Sequence, residues 1–204
     1  MKTCWLNWQD NPDCILFMAG WGMGPEPFFE LDFGLADVFM VYDYRQLDDF
    51  DFSALLPALE TSRLHLLAWS LGIWVAARLF QEDAFFPALH FSSATAIGGT
   101  CQPIDNHHGI PGQRFEQMLA DFSPAVVRAF YDSMFASQEE AERFWACRPQ
   151  RPLAEMREEL LVLRAVCAEH PEMPDIYSRR IVTNRDRIFS LRNQVRAWGR
   201  KKFD

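Results

Sequence analysis

The spacing of hydrophobic residues divides the chain into two kinds of segment. Within residues 1–104, short apolar runs alternate with helical stretches and polar turns, as in a sheet covered by helices on both faces. The runs predicted as strands are residues 4–9, 14–19, 38–42, 65–69 and 88–97, with a helix at 53–60. From about residue 105 to 173 the apolar positions follow helical periods instead, which predict helices at 115–122, 123–135, 138–146 and 152–169.

The strand pattern returns after this helical segment. Residues 176–183 carry branched apolar side chains, and a helix at 191–198 follows, capped by Ser190 and ended by Gly199. We therefore predict an α/β core formed by residues 1–104 and 174–204, with residues 105–173 inserted as a helical cap. Its sheet is expected to be mostly parallel and flanked by helices.

Ser70 lies where one of these strands meets a helix. The segment Ala68-Trp69-Ser70-Leu71-Gly72 is close to the Gly-x-Ser-x-Gly pattern, in which a sharp strand-to-helix turn exposes a nucleophilic serine. Small residues are needed two positions before and after the serine, because the strand and helix backbones pass close together. The alternative is an ordinary serine cap at the start of a helix, and the pentapeptide alone does not separate the two.

Two further segments fall where an acyl-transfer serine needs them. An oxyanion hole requires two backbone N–H groups, for which we predict Leu71, directly after the serine, and Trp21, in a glycine-rich loop after the second strand. The acid that orients the base is expected after the strand that follows the cap, at Asp186. Asp43, also at a strand end, is the second choice, and Asp186 has the alternative of pairing with a neighbouring arginine.

Composition limits the remaining possibilities. The chain has 204 residues, 49% of them hydrophobic, which suits one sizeable core. No apolar run is long enough to span a bilayer and the first residues lack a signal-peptide core, so we expect a cytoplasmic protein without a membrane partner. Its 5 cysteines are widely spaced, which predicts reduced thiols and no metal site.

The net charge of −8 is unevenly distributed. Residues 1–104 contain 4 basic and 13 acidic side chains, whereas residues 175–204 contain 9 basic and 3 acidic ones. The basic stretch is either a solvated helix face or a surface for an acidic partner, since arginines bind carboxylates and phosphates well. Nucleic acid is not expected as a partner of so acidic a chain.

Seven segments spread over nearly the whole chain form a recognisable combination: residues 19–23, 68–76, 96–100, 103–105, 109–111, 184–189 and 193–194. In this combination the chain resembles the BioG-type pimeloyl-[acyl-carrier-protein] methyl ester esterases of the α/β-hydrolase superfamily. The resemblance implies an α/β-hydrolase fold and hydrolysis of the methyl ester of pimeloyl-acyl carrier protein, releasing methanol in biotin biosynthesis. Ser70 would be the nucleophile and Asp186 the acid, with no cofactor.

The same resemblance implies an acyl carrier protein as partner, which is acidic and bears a phosphopantetheine arm. Arginines of the predicted cap and of the C-terminal stretch are the groups expected to meet it. The candidates in the cap are Arg128, Arg143, Arg148, Arg151 and Arg157.

The chain departs from the family at the general base. The family's triad histidine belongs near the C-terminus, yet no histidine follows His170. A helix, a short strand and a loop are expected between Asp186 and that histidine, so we expect the natural protein to continue beyond Asp204 and to supply the base there. His107 and His108, near the junction of sheet and cap, are the alternative, although a surface loop explains them more simply.

Two other functions stay open at this point. One is a different carboxylesterase or a thioesterase that uses the same serine. The other is a non-catalytic module that binds acyl groups or acyl carrier protein, which a chain without a general base would favour.

Overall fold

The computed structural model describes residues 1–47, 49, 51, 53–61, 63–81 and 89–199. Six strands form one sheet in the order β1-β3-β2-β4-β5-β6. They are β1 (Lys2–Asn7), β2 (Asp13–Met18), β3 (Ala36–Tyr42), β4 (Arg63–Trp69), β5 (Ser93–Ile97) and β6 (Arg179–Ile181). Only β1 is antiparallel to its neighbour, with Lys2 opposite Tyr42, so the mostly parallel sheet predicted from the sequence is confirmed.

The parallel pairing brings five strand ends to one edge of the sheet. Met18 pairs with Val41 and Ala68, and Trp69 pairs with Ile97. Because carboxyl ends of parallel strands share an edge, the loops after β2, β3, β4, β5 and β6 gather there. Central strand β4 is buried on alternate positions by α2 and its neighbours, as its apolar sequence requires.

Seven α-helices flank or cover the sheet in the described residues. Their bounds are α1 (Leu56–Thr61), α2 (Gly72–Phe80), α3 (Gly112–Ala120), α4 (Pro124–Asp132), α5 (Gln138–Ala146), α6 (Leu153–Glu169) and α7 (Leu191–Trp198). A short 3-10 helix at Glu26–Phe28 was not predicted. Four of the helices, α3 to α6, intervene between β5 and β6, as the helical periods predicted.

Two predicted strands are shorter than expected, and at β6 neighbouring side chains take the hydrogen bonds of the flanking residues. Before β6, the N–H of Tyr177 donates to the Asp175 carboxylate, and after it the N–H of Thr183 donates to the Gln194 side chain. The predicted strand at 88–97 begins only at Ser93. Its first residue, Ala88, and the basic residues 200–202 lie outside the described residues.

The core lies between the sheet and α2 and continues into the cap. Trp74, on α2, is fully buried, and its indole N–H donates to the His170 carbonyl at the end of α6 (3.0 Å). In the cap, Tyr131 and Phe144 lie with ring centroids 5.1 Å apart. Among the described helices, none is both long and apolar enough to cross a bilayer. In the same residues no three histidine, cysteine or carboxylate side chains form a potential metal site.

Candidate active site

Ser70 occupies a strained turn between β4 and α2. Its φ of +57° lies in the left-handed region, which a non-glycine residue adopts at a cost of about 1–3 kcal/mol when the surroundings impose it. The N–H of Ser70 donates to the Ile97 carbonyl (2.9 Å), and the Ser70 carbonyl accepts from the N–H of Ile73 (3.1 Å). The side chain is half-buried and lines a cavity. This is the strand-turn-helix geometry of a nucleophile elbow, rather than that of a simple helix cap.

The glycines near the elbow are required by close backbone approaches. A Cβ on Gly72 would lie 2.4 Å from the Met18 carbonyl oxygen, and one on Gly99 would lie 2.6 Å from the Ser70 carbonyl oxygen. Real Cβ atoms essentially never come this close to another atom. The second glycine of the Ala-x-Ser-x-Gly pattern is therefore fixed by the packing of α2 on the end of β2.

Two backbone N–H groups beside Ser70 are available to a ligand. Trp21 and Leu71 both line a cavity of about 220 Å³ together with Ser70. Among the hydrogen bonds of the described residues, neither of their N–H groups donates to an acceptor of the protein. The Gly20 carbonyl accepts from the N–H of Met23 (3.4 Å), and since the peptide is trans, the Trp21 N–H points the opposite way. Paired donors of this kind are what an oxyanion hole requires.

A larger cavity of about 850 Å³ contains both Ser70 and Asp186. It shares Trp21, Ser70, Phe130 and Ile188 with the smaller cavity, so the two form one branched site. Cap residues form much of its apolar wall: Phe130, Met134, Phe135 and Ala136. In the sequence these residues follow the helical periods of the predicted cap, and the pattern alone did not assign them to the site.

Asp186 is held by the turn that follows β6. One carboxylate oxygen accepts the N–H groups of Ile188 (2.8 Å) and Phe189 (2.9 Å), and the other accepts the Thr183 hydroxyl (3.0 Å). Burial raises the pKa of Asp186, and these hydrogen bonds oppose the increase only in part. Within the described residues it forms no salt bridge to Arg185 or any other cation, so the alternative of an arginine-paired acid is not what the structure shows.

The fully buried side chain of Gln194 organises this turn, and the pattern of the chain alone did not identify its role. Its oxygen accepts the N–H of Thr183 (3.2 Å), and its nitrogen donates to the Phe189 carbonyl (2.6 Å). The only feature of the sequence that could have indicated this role is a polar residue on the inner face of α7. Gln194 thereby holds both ends of the loop that carries Asp186.

Asp43, the second choice for the acid, is engaged elsewhere. Its side chain is buried and lies within 3.1 Å of Lys2, Arg45 and Arg151. Burial raises the pKa of Asp43, but the Arg45 hydrogen bond and the charge of Arg151 outweigh this and hold it at about 2. Asp43 lines neither cavity that contains Ser70, so it does not serve as the orienting acid.

No histidine of the chain lines the site, although all five lie among the described residues. His107 and His108 line a separate pocket with Val195, Arg196 and Gly199, and the Asp105 carboxylate caps their turn. The structure therefore does not support this pair as the base. His65 contacts Ser93 and Asp13 inside the sheet, His170 ends α6, and His90 is exposed and outside any strand, contrary to prediction.

The cap arginines differ in their availability to a partner. The prediction that Arg151 contacts a partner is wrong, because its side chain is only 5% exposed and is paired with Asp43 and Glu159. Arg128 and Arg148 lie over the ring of Trp145, at 5.0 and 5.8 Å from its centroid, and both are exposed. Arg185 is exposed and lines the larger cavity.

Comparison with known proteins assigns the chain to a family. A family model described as "Pimeloyl-ACP methyl esterase BioG" matches residues 1–202. The chain belongs to the BioG family. The crystal structure of BioG from Haemophilus influenzae superimposes with a TM-score of 0.82 at 31% identity, covering 98% of this chain and 88% of that chain.

Three further proteins are similar to the chain. An uncharacterised protein of Haemophilus influenzae is 32% identical over 201 residues, 97% of this chain and 87% of the relative. A malonyl-[acyl-carrier protein] O-methyltransferase of Bacteroides fragilis is 35% identical over 186 residues, 91% of this chain, but the chain spans only 36% of that protein's length. An α/β hydrolase fold protein from Burkholderia ambifaria, with a TM-score of 0.54 and 17% identity over 98% of this chain and 83% of its own, shows the fold alone.

Proposed function

We propose that this BioG-family chain is a serine esterase that hydrolyses the methyl ester of pimeloyl-acyl carrier protein, giving methanol and pimeloyl-acyl carrier protein for biotin synthesis. The observation that carries the proposal is Ser70 at positive φ, in one cavity with the unpaired N–H of Trp21 and with the Asp186 carboxylate. The family description supplies the substrate. The methyltransferase name of one relative belongs to a protein of which this chain spans 36%. A half-buried serine in an elbow that lines a cavity favours ester cleavage over methyl transfer.

In the proposed reaction, the Ser70 hydroxyl attacks the ester carbonyl while a histidine takes its proton. The N–H groups of Trp21 and Leu71 stabilise the negative charge on the carbonyl oxygen. Collapse of the tetrahedral intermediate expels methoxide, which leaves as methanol with the proton from the histidine. Water then attacks the acyl-enzyme with help from the same base, and the carboxylate product departs.

The acid and base of this scheme have different sources. Asp186 is proposed to hold and charge-stabilise the histidine, and its hydrogen bonds from Thr183, Ile188 and Phe189 fix its position. None of the five histidines of the chain lines the cavity, so the base of the proposed scheme is not one of them.

The substrate proposal is supported by the shape and charge of the site. The apolar wall of Phe130, Met134 and Phe135 suits a chain of methylene groups, and exposed Arg185 lies on the same cavity. Exposed cap arginines, including Arg128 and Arg148, are proposed contacts for an acidic carrier protein. No metal or organic cofactor is needed for this chemistry.

Hydrolysis of methyl-pimeloyl-carrier protein by the full-length protein tests the proposal. We expect methanol release with kcat/KM well above that for methyl pimelate, a small ester with the same scissile bond. Equal values would favour a general carboxylesterase, and faster release of the thiol from the carrier would favour a thioesterase. A folded full-length protein that binds the carrier protein and cleaves none of these substrates would favour the non-catalytic module.

A further inference from the structure

Cap residues bind the loop after β2, residues 20–24, at three successive positions. The Gly22 N–H donates to Glu159 on α6 (3.4 Å), and the Gly22 carbonyl accepts the Tyr131 hydroxyl of α4 (2.7 Å). The Trp21 indole N–H donates to the Met156 carbonyl (3.0 Å), and Arg151 donates to the Met23 carbonyl (3.4 Å). Cap groups therefore satisfy polar groups of Trp21, Gly22 and Met23, while the Trp21 backbone N–H donates to no acceptor among the described residues.

Glu159 is the centre of these contacts and is completely buried. One carboxylate oxygen accepts the N–H of Tyr44 (2.9 Å), and the other accepts from Gly22 and from Arg151 (2.5 Å). Arg151 also pairs with Asp43 (3.0 Å) at the end of β3. A buried carboxylate needs a charged partner and several donors to be tolerated, and all of them are present.

The peptide geometry connects this cluster to the proposed oxyanion hole. Gly22 has a φ of +76°, and both its N–H and its C=O are held by cap side chains. The Trp21 N–H belongs to the peptide between Gly20 and Trp21, whose carbonyl accepts the N–H of Met23 (3.4 Å). Glu159 and Tyr131 hold Gly22, and Arg151 holds Met23, so cap residues fix the segment against which that peptide is oriented. The Tyr44 hydroxyl donates to the Ala19 carbonyl (2.6 Å), which fixes the chain just before the loop.

We propose that Glu159 and Tyr131 are positioning residues that set the direction of the Trp21 N–H, so that the cap forms part of the catalytic apparatus as well as a wall of the substrate site. This inference rests on the proposed function of Ser70 and Trp21. Neither Glu159 nor Tyr131 needs to touch the reacting atoms for the effect. Their contribution is to the transition state, in which the carbonyl oxygen carries the charge that the N–H stabilises.

Glu159→Gln tests the inference, with Glu158→Gln as its matched control. The amide keeps the size of the carboxylate but replaces one acceptor with a donor, either towards Tyr44 or towards Gly22 and Arg151. The control residue Glu158, one residue earlier on α6, has a side chain that is 61% exposed. In the full-length protein we expect kcat to fall about 10–100-fold for Glu159→Gln with KM within about twofold, the size expected for a misplaced catalytic group. Glu158→Gln should match wild type.

Tyr131→Phe is the second variant, because it removes only the hydroxyl that binds the Gly22 carbonyl. It should also lower kcat at unchanged KM while its melting temperature stays within a few degrees of wild type. A trifluoromethyl ketone, which binds serine esterases as an oxyanion, should bind both variants more weakly, whereas the uncharged ether analogue of the substrate should bind them as it binds wild type. Wild-type kcat and inhibitor affinity in both folded variants would overturn the proposal.

The backbone amide resonance of Trp21 gives a readout that does not depend on catalysis. We expect it to shift in Glu159→Gln and in Tyr131→Phe, and to stay in place in Glu158→Gln. If wild type hydrolyses no ester but this resonance shifts, the proposed function fails while the loop-positioning contact stands. If wild type is active and the resonance does not move, the inference alone is overturned.

Discussion

Gly72 offers a quantitative test of how closely α2 packs on β2. An alanine Cβ at this position would lie 2.4 Å from the Met18 carbonyl oxygen and 2.5 Å from that of Ala19. These are backbone atoms at the end of β2, so they move only if the strand moves with them. Overpacking a core costs about 1–3 kcal/mol. Because the clash at Gly72 is with backbone atoms, we expect Gly72→Ala to lower the free energy of unfolding by about 3 kcal/mol, the upper end of this range. For a domain of this size that lowers Tm by roughly 6–12 °C.

Gly112 provides the matched control, because it is also the first residue of a nine-residue helix, α3. A Cβ there meets nothing within 4 Å. Gly112→Ala should therefore be neutral or stabilising by about 0.4–1 kcal/mol, since alanine restricts the unfolded chain. Urea denaturation and calorimetry of the two variants measure the difference. Equal Tm values for Gly72→Ala and Gly112→Ala would refute the reasoning about the strand-to-helix approach.

Two predictions concern the acids. Asp43→Asn should lower the free energy of unfolding at pH 7 by about 2 kcal/mol, because the pKa of Asp43 is about 2 in the folded protein against an ordinary 3.8. This stabilisation is present above pH 3.8 and is lost as the pH falls towards 2. The free energies of unfolding of the variant and of wild type, measured by urea titration, should therefore converge at low pH, and a difference that does not change with pH would contradict the prediction. Asp186→Asn in the full-length protein should lower kcat about 10³–10⁴-fold while Tm changes little, since an amide oxygen still accepts the N–H groups of Ile188 and Phe189. Unchanged kcat would remove Asp186 from the triad.

Much of the secondary structure could be predicted from the local sequence pattern. The predicted helix at Gln138–Ala146 is found with those bounds, where Ser137 and Glu140 form a capping box that the sequence determines within four residues. The elbow at Ser70 was predictable for the same reason, since strand, serine and small residues are contiguous. Neighbouring residues decide such features, so the sequence alone is sufficient.

The contacts around Glu159 could not be predicted in this way. Glu159 bonds to Tyr44 and Gly22, which are 115 and 137 residues away along the chain. In α6 it stands next to Glu158, so both look like solvent-facing charges of an amphipathic helix. Arg151 was assigned to the surface by the same logic. Burial of a charged side chain depends on which elements pack together, and the spacing of residues along one helix does not show this.

Covalent labelling of Ser70 tests the central claim most directly. The full-length protein is treated with a fluorophosphonate, and peptide mass spectrometry locates the adduct. We expect one phosphonate on Ser70, competition by methyl-pimeloyl-carrier protein, and neither adduct nor methanol release in Ser70→Ala. A Ser70→Ala protein that still hydrolyses the ester at the wild-type rate, or an active wild type labelled at a different residue, would contradict the account.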